Sequence, residues 1–193
     1  MSNITNSTPR EGYDVAFSLL EGTRIIYING QIDQYMAYHF NTTLLKLESE
    51  DAYKDIVVYI NSPGGSVIDG LSMIDTMNLI SCDVSTICVG MAASMGAMLL
   101  MSGCKGKRKI LPHSQVLIHQ PLSNLGNAFR QASDLEIAAK EVVRTKNTLY
   151  TIIHDTTGQP YDKIEKDCDR DYTLSAKEAL EYGIVDEIIS SHR

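Results

Sequence analysis

The chain contains 193 residues, of which 44% are apolar and 21% are charged. This composition is ordinary for a folded globular protein and excludes a collagen repeat and a largely disordered chain. Acidic side chains outnumber basic ones by 24 to 17, which leaves a net charge of −7. A chain-wide nucleic-acid-binding role is therefore excluded, because phosphates are bound by a positive field. The length predicts one sizeable domain rather than two.

The N-terminal residues and the cysteines indicate the compartment. Residues 1–12 are polar and lack the apolar run of a secretory signal, so we predict a flexible tail followed by a single domain at 13–193. The four cysteines are Cys82, Cys88, Cys104 and Cys168. They show neither C-x-x-C spacing nor a zinc-ligand pattern. We expect reduced, mostly buried thiols, a cytoplasmic location and no metal site.

Strands and helices are predicted to alternate along the chain, as in an α/β domain. The β-branched run at 56–60 is typical of a strand buried on both faces. Met36, Phe40, Leu44 and Leu47 recur at helical spacing behind a candidate cap. The predicted elements are a strand at 25–28, a helix capped by Asp33, a strand at 56–60, a helix after the turn at 61–65, a strand at 84–89, a helix at 93–101, a strand at 116–118, a helix at 128–154, a short helix around Lys163, a helix from Ser175 to Gly183 and a strand at 184–189.

The stretch from Val84 to Cys104 carries no charge and is long enough to span a bilayer. It divides at Gly90 into a β-branched part and a part rich in Ala and Met, and it lacks aromatic residues at both ends. We therefore predict a buried strand followed by a buried helix, and no membrane span.

Basic residues concentrate between Lys105 and Lys109, in the sequence KGKRK. Such a cluster fits an RNA-binding or localisation segment, or a solvated turn between a helix and a strand. The glycine within it favours the turn.

Two turns that follow predicted strands are candidate sites, because sites in α/β sheets collect at the carboxyl ends of strands. The turn Ser62–Ser66 contains two glycines whose N–H groups can face negative charge at a helix start, or it is simply a tight turn. In the second turn, Ser94 lies among Ala and Gly as a nucleophile does in a G-x-S-x-G elbow, with the Met95 N–H directed at a developing oxyanion. Alternatively, Ser94 is a helix N-cap.

His119 ends a predicted strand just before Pro121, where a neutral imidazole can act as a general base. The competing histidines are explained as surface residues: His39, His113, His154 and His192. An orienting carboxylate is also needed. Spacing alone does not choose among the candidates in one polar loop: Asp167, Asp169 and Asp171.

Several uncommon motifs occur together and in a characteristic order. They are RIIYINGQID at 24–33, YINSPGGS at 59–66, DTMNLI at 75–80, DVSTICVGMAASMGAMLLMSG at 83–103, KGKRKILPHSQVLIHQPL at 105–122 and LSAKEALEYGIVDEI at 174–188. With these motifs the chain resembles the ClpP family, the proteolytic subunits of the Clp protease. The resemblance implies a crotonase-like α/β fold of repeated β-β-α units, with a protruding helix-strand handle at about 122–155.

The resemblance also implies the chemistry of a serine peptidase. Ser94 corresponds to the nucleophile, His119 to the general base and Asp171 to the orienting acid, since the family's Arg-Asp pair before the capping serine falls on this aspartate. The oxyanion hole corresponds to the backbone N–H groups of Gly65 and Met95. No metal or organic cofactor is implied.

The partners implied are other copies of the chain and a separate unfolding machine. Family members form two stacked seven-membered rings, and a ring-shaped ATP-dependent unfoldase feeds unfolded polypeptides into the chamber. Asp169 and Arg170 correspond to a pair that contacts the opposite ring and links ring pairing to the alignment of the triad.

Three departures from the family pattern favour a divergent paralogue, which pairs with a second ClpP paralogue in a mixed ring. The segment 122–134 is about three residues longer than in relatives and keeps only Gly126 of a Gly-Gly pair. Val57 replaces a common tyrosine, although Tyr59 is kept. The N-terminal tail lacks an apolar Val-Pro segment. A weakly active or inactive scaffold subunit is therefore the alternative to an active peptidase. A crotonase-type enzyme acting on acyl-coenzyme A is a third hypothesis, but it would not need the Ser-His-Asp set.

Overall fold

Parallel strands joined by helices build the centre of the fold. The computed structural model describes residues 17–20, 22–121 and 131–189. In this part of the chain the strands are β1 (Phe17–Leu19), β2 (Ile25–Asn29), β3 (Ile56–Ser62), β4 (Val84–Ala93), β5 (Arg108–Ile110), β6 (Gln115–Ile118), β7 (Tyr172–Ser175) and β8 (Glu187–Ile188). The helices are α1 (Gln34–Glu50), α2 (Val67–Leu79), α3 (Met95–Met101), α4 (Ala132–Thr157), α5 (Tyr161–Asp167) and α6 (Ala176–Tyr182).

All eight strands belong to one mixed sheet. The order across it is β1-β2-β3-β4-β5-β8, and β6 pairs with both β4 and β7. The pairings β1–β2 and β6–β7 are antiparallel and the others are parallel. The carboxyl ends of β3, β4 and β6 therefore lie at the same edge of the sheet, which is where α/β folds place their sites.

The strand β4 is longer than predicted because it bends and changes partner. Its first part pairs with β5 up to Cys88, and its last three residues pair with β6. Gly90 adopts a φ of 81° at the bend, and its N–H donates to the Ser114 hydroxyl, which in turn donates to the Cys88 carbonyl. The predicted interruption at Gly90 is thus a bend within one strand, and the following helix begins at Met95 instead of Ala93.

The helix α1 follows its predicted pattern. Asp33 caps it by accepting hydrogen bonds from the N–H groups of Tyr35 and Met36. The residues predicted to share one face are all buried, namely Met36, Phe40, Leu44 and Leu47. The sequence prediction for this helix is confirmed.

The strand β3 is buried on one face only, so the prediction of burial on both faces is wrong. Ile56, Val58 and Ile60 belong to the core shared with the helices, whereas Val57 and Tyr59 are half-buried. On that second face the Tyr59 ring stacks on Tyr27 at 6.1 Å. Apolar and polar residues do not alternate in this β-branched run, so the sequence does not show which face of the strand is less buried.

The basic cluster is a turn that leads into a strand, so the interpretation as a solvated turn is right for its first part only. Lys105 and Gly106 form an exposed turn. Arg108 lies in β5 and is only 3% exposed, and its guanidinium contacts the Asp186 carboxylate at 2.6 Å. The neighbouring lysines are paired as well: Lys107 with Asp55 and Asp83, and Lys109 with Glu187. These charges hold parts of the fold together and leave no basic patch for RNA.

Helix ends in the C-terminal part follow their sequence signals, but the bounds differ. The long helix α4 begins four residues later and ends three residues later than the predicted 128–154, and it is capped by Gly158 with a φ of 75°. Ser175 and Glu178 form the predicted capping box of α6, which ends at Gly183. The strand predicted at 184–189 is reduced to the two residues of β8.

Some predictions fall outside the described residues. These are the tail at 1–12 and the segment 122–130 with the departure at Gly126, so the division into tail, domain and handle stays a prediction. Among the described residues, no helix combines the length and apolarity needed to cross a membrane. The uncharged stretch holds β4 and α3 instead.

Candidate active site

Ser94 occupies a strained turn between β4 and α3. Its φ of 53° and ψ of −121° make it the one residue other than glycine with positive φ among the described residues. Such a conformation costs free energy and is typical of functional sites. The side chain makes no capping hydrogen bond to α3, which argues against the N-cap interpretation. The Ser94 N–H is held by the Leu117 carbonyl of β6 at 2.8 Å.

The turn after β3 packs directly against this serine. A Cβ on Gly64 would lie 2.7 Å from both the Ser94 Cβ and the Ala93 carbonyl oxygen, so only glycine fits there. Ile32 fixes the turn from the other side, because its N–H donates to the Gly64 carbonyl at 2.8 Å and its carbonyl accepts from the Ser66 N–H at 2.9 Å. The two glycines of this turn thus serve close backbone packing as well as turning the chain.

Two backbone donors beside Ser94 are unengaged. Within the described residues, neither the Gly65 N–H nor the Met95 N–H donates to an acceptor. Both residues line the same cavity as Ser94. Two free N–H groups beside a serine hydroxyl can stabilise the negative charge that develops on a carbonyl oxygen under attack.

The cavity has a volume of about 240 Å³ and brings residues together from four parts of the chain. Ser94 and His119 are its polar side chains. Its walls are otherwise apolar side chains and backbone: Pro63, Gly65, Val67, Met95, Met98, Pro121 and Leu149. Such a cavity can receive an apolar side chain of a peptide next to the serine hydroxyl.

His119 directly follows β6, and Asp171 directly precedes β7, the strand that pairs with β6. The antiparallel register pairs Ile118 with Tyr172, so His119 and Asp171 both adjoin the last pair of this ladder. His119 is half-buried and Asp171 is exposed. Among the described residues, no hydrogen bond joins His119 to Ser94 or to Asp171, as is common before substrate binds.

The three competing histidines that the structure describes do not line this cavity. His39 is exposed on α1, with its ring edge-on to Tyr38. His154 stacks on Tyr161 at 4.4 Å. His113 is exposed in the turn before β6, and His192 lies outside the described residues. The prediction that these are surface residues holds for His39 and His113, whereas His154 is half-buried at the end of α4.

The three candidate acids have different surroundings. Asp167 accepts hydrogen bonds from the Lys163 ammonium at 2.5 Å and from the Tyr182 hydroxyl at 3.1 Å, so it belongs to a structural cluster. Asp169 contacts Gln120. Asp171 is the one that adjoins the last β6–β7 pair, at the end of the ladder where His119 also lies, a distinction that spacing alone did not provide.

The cysteines take no part in the cavity. Cys82, Cys88 and Cys168 are buried and Cys104 is partly buried, which confirms the predicted mostly buried thiols. Burial raises the pKa of Cys88 and Cys168 to about 12, so both are protonated at neutral pH. No group of three or more His, Cys, Asp and Glu residues that could hold a metal ion occurs in the described ranges.

Comparison with known proteins completes this picture. Residues 8–192 match the family model described as Clp protease.

The chain belongs to the Clp protease family.

Close relatives of this Clp protease family member are proteins named ATP-dependent Clp protease proteolytic subunit. The one from Porphyromonas gingivalis is 55% identical over 177 residues, which cover 92% of this chain and 78% of the relative. A Bacteroides fragilis relative is also 55% identical, over 90% of this chain and 82% of its own length. One from Bacteroides thetaiotaomicron is 54% identical, over 90% of this chain and 77% of its own length. The resemblance and the fold class inferred from the motifs are therefore confirmed.

Sequence reasoning missed three residues that shape the site of this Clp protease family member. Ile32 holds the glycine turn, Leu149 of α4 closes one wall of the cavity, and Gln120 contacts the acidic loop. The position of Gln120 next to His119 was a usable signal. The other two had none, because ordinary core residues look alike in a sequence.

Proposed function

We propose that this chain is the proteolytic subunit of a Clp protease, a serine endopeptidase subunit that cleaves unfolded polypeptides. The carrying observation is the cavity in which the strained Ser94, His119 and two unengaged backbone N–H groups meet. Residues of these types in one cavity suit acyl transfer. The names and the extent of identity of the relatives support the same activity.

The proposed reaction begins when neutral His119 accepts the Ser94 hydroxyl proton and the oxygen attacks the peptide carbonyl. The N–H groups of Gly65 and Met95 stabilise the oxyanion. His119 then gives its proton to the leaving amine, which leaves an acyl-enzyme, and water activated by the same histidine releases the second product. Asp171 orients the imidazole and stabilises its protonated form. The reaction needs no metal or organic cofactor.

We further propose that the chain works in the cytoplasm as part of two stacked seven-membered rings, alone or with a second ClpP paralogue. Asp169 and Arg170 are proposed to contact the opposite ring. Their exposure supports this, because Arg170 is 92% and Asp169 67% exposed while their own contact spans 3.8 Å. A ring-shaped ATP-dependent unfoldase would supply the unfolded chains, since the glycine turn lacks a nucleotide-binding pattern.

The alternative of an inactive scaffold subunit gains no support from the relatives named above, which are proteolytic subunits by name. The departures that suggested it lie at Val57, which does not line the cavity, and in two segments that fall mostly outside the described residues. The crotonase alternative is set aside because the family model is that of a protease.

The test is covalent labelling with a serine-directed phosphonate, with the adduct mapped by mass spectrometry and hydrolysis of a peptide followed in parallel. We expect an adduct at Ser94, and we expect Ser94→Ala to abolish both labelling and hydrolysis while the oligomer keeps its size in sedimentation. Ser102→Ala, at the other end of α3, is the matched control and should retain both activities. Absence of an adduct at Ser94, with or without a partner subunit, would contradict the proposed function.

A further inference from the structure

The acidic loop is a bulge opposite the end of β6. The strands β6 and β7 pair up to Ile118 and Tyr172. The next backbone hydrogen bond runs from the Gln120 N–H to the Cys168 carbonyl, at 2.6 Å. Residues 169–171 thus stand opposite a single residue of the other strand, the histidine that lines the cavity. A bulge of this kind re-aims side chains, so its conformation decides where the acid points.

Gln120 anchors this bulge twice. Besides its backbone bond, its side-chain Nε2 donates to the Asp169 carbonyl at 2.9 Å and to the Asp169 carboxylate at 3.4 Å. Asp171 accepts no hydrogen bond from any described residue, and the Arg170 side chain is largely exposed. The base of the bulge is therefore held by Gln120, whereas the Asp171 side chain has no such anchor among the described residues.

We propose that Gln120 is a positioning residue for the acid of the catalytic site, an inference that rests on the proposed function. Its side-chain amide holds the base of the bulge against the strand that carries His119, so Asp171 stays within reach of the imidazole. Gln120 does not line the cavity, and so it acts through the bulge and not on the substrate.

Loss of the Gln120 anchor should slow the reaction because the interaction between the acid and the histidine acts only at short range. A displacement of about 1 Å can reduce a rate by about 10²-fold, because orientation of the reacting groups is lost. The bulge also carries the charges next to the histidine, those of Asp169, Arg170 and Asp171. Among the described residues that line the cavity itself there is no Asp, Glu, Lys or Arg.

The experiment replaces the amide donor and keeps the length of the side chain. In Gln120→Met we expect kcat for a short peptide to fall by about tenfold or more with KM nearly unchanged. We expect Gln120→Glu to be at least as slow, because its carboxylate would face the Asp169 carbonyl and carboxylate. The control is Gln115→Met, the same chemical change at an exposed position of the same strand, outside the bulge.

A pH profile separates positioning from a general structural effect. A misplaced Asp171 no longer stabilises the protonated imidazole, so the acid limb of kcat/KM should shift to lower pH in Gln120→Met and not in Gln115→Met. Rates are divided by the concentration of active sites titrated with the phosphonate, so a partly unfolded variant is still informative.

The outcomes separate this inference from the proposed function. A wild-type protein that neither labels at Ser94 nor cleaves peptide would overturn both. An active wild-type protein whose Gln120→Met variant matches Gln115→Met in kcat would overturn the positioning role alone. A lower kcat with an unshifted acid limb would overturn it too.

Discussion

Ser94 keeps a backbone conformation that an L-residue adopts only at a cost of about 1–3 kcal/mol. The neighbourhood enforces it: the Ser94 N–H is bound by β6, its carbonyl accepts from the start of α3, and Gly64 packs against its Cβ. The strain directs the hydroxyl into the cavity instead of along the helix. A small change in the packing around this residue should therefore affect activity more than it affects folding.

Gly64→Ala tests that expectation. The new Cβ would approach the Ser94 Cβ and the Ala93 carbonyl to 2.7 Å, so we expect peptide hydrolysis and phosphonate labelling to fall about 10²-fold or more, because the serine is displaced. Gly30→Ala is the matched control, since its φ of 98° resembles the 94° of Gly64 while its Cβ would meet nothing within 4 Å.

Both alanine variants should unfold more easily than the wild type, by about 1–2 kcal/mol, because alanine is strained at positive φ. The difference between them isolates the contact with Ser94. Equal activity in the two variants would show that this contact does not hold the serine.

At the scale of elements, the short strand β5 is held by a buried ion pair. Arg108 contacts the Asp186 carboxylate through Nε and Nη2, and its Nη1 donates to the carbonyls of Met101 in α3 and Thr156 in α4. One guanidinium thus links β5 to two helices and to the segment before β8. Partial burial acts to raise the pKa of Asp186, but hydrogen bonds from Arg108 outweigh it and hold that pKa below its usual value.

Asp186→Asn should lower the free energy of unfolding by about 3–5 kcal/mol, because it leaves a buried guanidinium without its charge partner. Glu187→Gln breaks the adjacent, more exposed ion pair with Lys109 and should change the free energy of unfolding by less than about 1 kcal/mol. Urea unfolding at pH 7 measures both values. Similar small losses in the two variants would show that the buried pair contributes little.

The same pair predicts a pH dependence. Since the folded-state pKa of Asp186 is depressed, its contribution to stability is complete above the unfolded value of about 4 and is lost as the pH falls through the folded value. Between pH 5 and pH 3, wild-type protein should therefore lose more stability than Asp186→Asn does. Parallel losses in the two proteins would contradict this assignment.

At the scale of the whole molecule, several large apolar side chains contact solvent in the described chain. Tyr53 is 98% exposed, Ile68 81% and Leu79 76%. Single exposed apolar residues are common in monomers, but the proposed rings would bring other copies of the chain against this one. We expect self-association to cover part of this surface.

Arg170→Ala tests the proposed contact between rings. Loss of an exposed cation at that contact should yield particles of half the mass in sedimentation velocity, with peptide hydrolysis lost in parallel. Lys177→Ala removes a similarly exposed cation, 81% exposed and 3.7 Å from Glu181, and should leave mass and activity unchanged. An unchanged mass for Arg170→Ala would place the contact elsewhere.

Periodicity and caps predicted most of the helices and the central strands, because α1, α2, α4 and α6 carry their signals within a few neighbouring residues. The short strands β5 and β7 were missed for a physical reason. Three-residue β5 is basic, and β7 lies in a polar loop, so neither has a pattern of its own. Each becomes a strand only because a distant partner, β4 or β6, offers its unpaired edge.

The residues of the candidate site also divide into those with a local sequence signal and those that depend on distant partners. Local sequence was enough to single out Ser94, His119 and the glycine turn, since a nucleophile among small residues and a histidine at a strand end are patterns of neighbours. The family followed from the order of the motifs. The length and composition likewise predicted one acidic domain and argued against a chain-wide nucleic-acid-binding role.

Tertiary structure alone decided which groups meet. The bend of β4 toward β6 ties Ser94 to the strand that carries His119, and the β6–β7 register distinguishes Asp171 from Asp167. Tertiary contacts also made Arg108 a buried strand residue and Gln120 the anchor of a bulge. These pairings join residues far apart in the chain, and the free energy that selects them comes from packing the whole core, so no short stretch of sequence contains them.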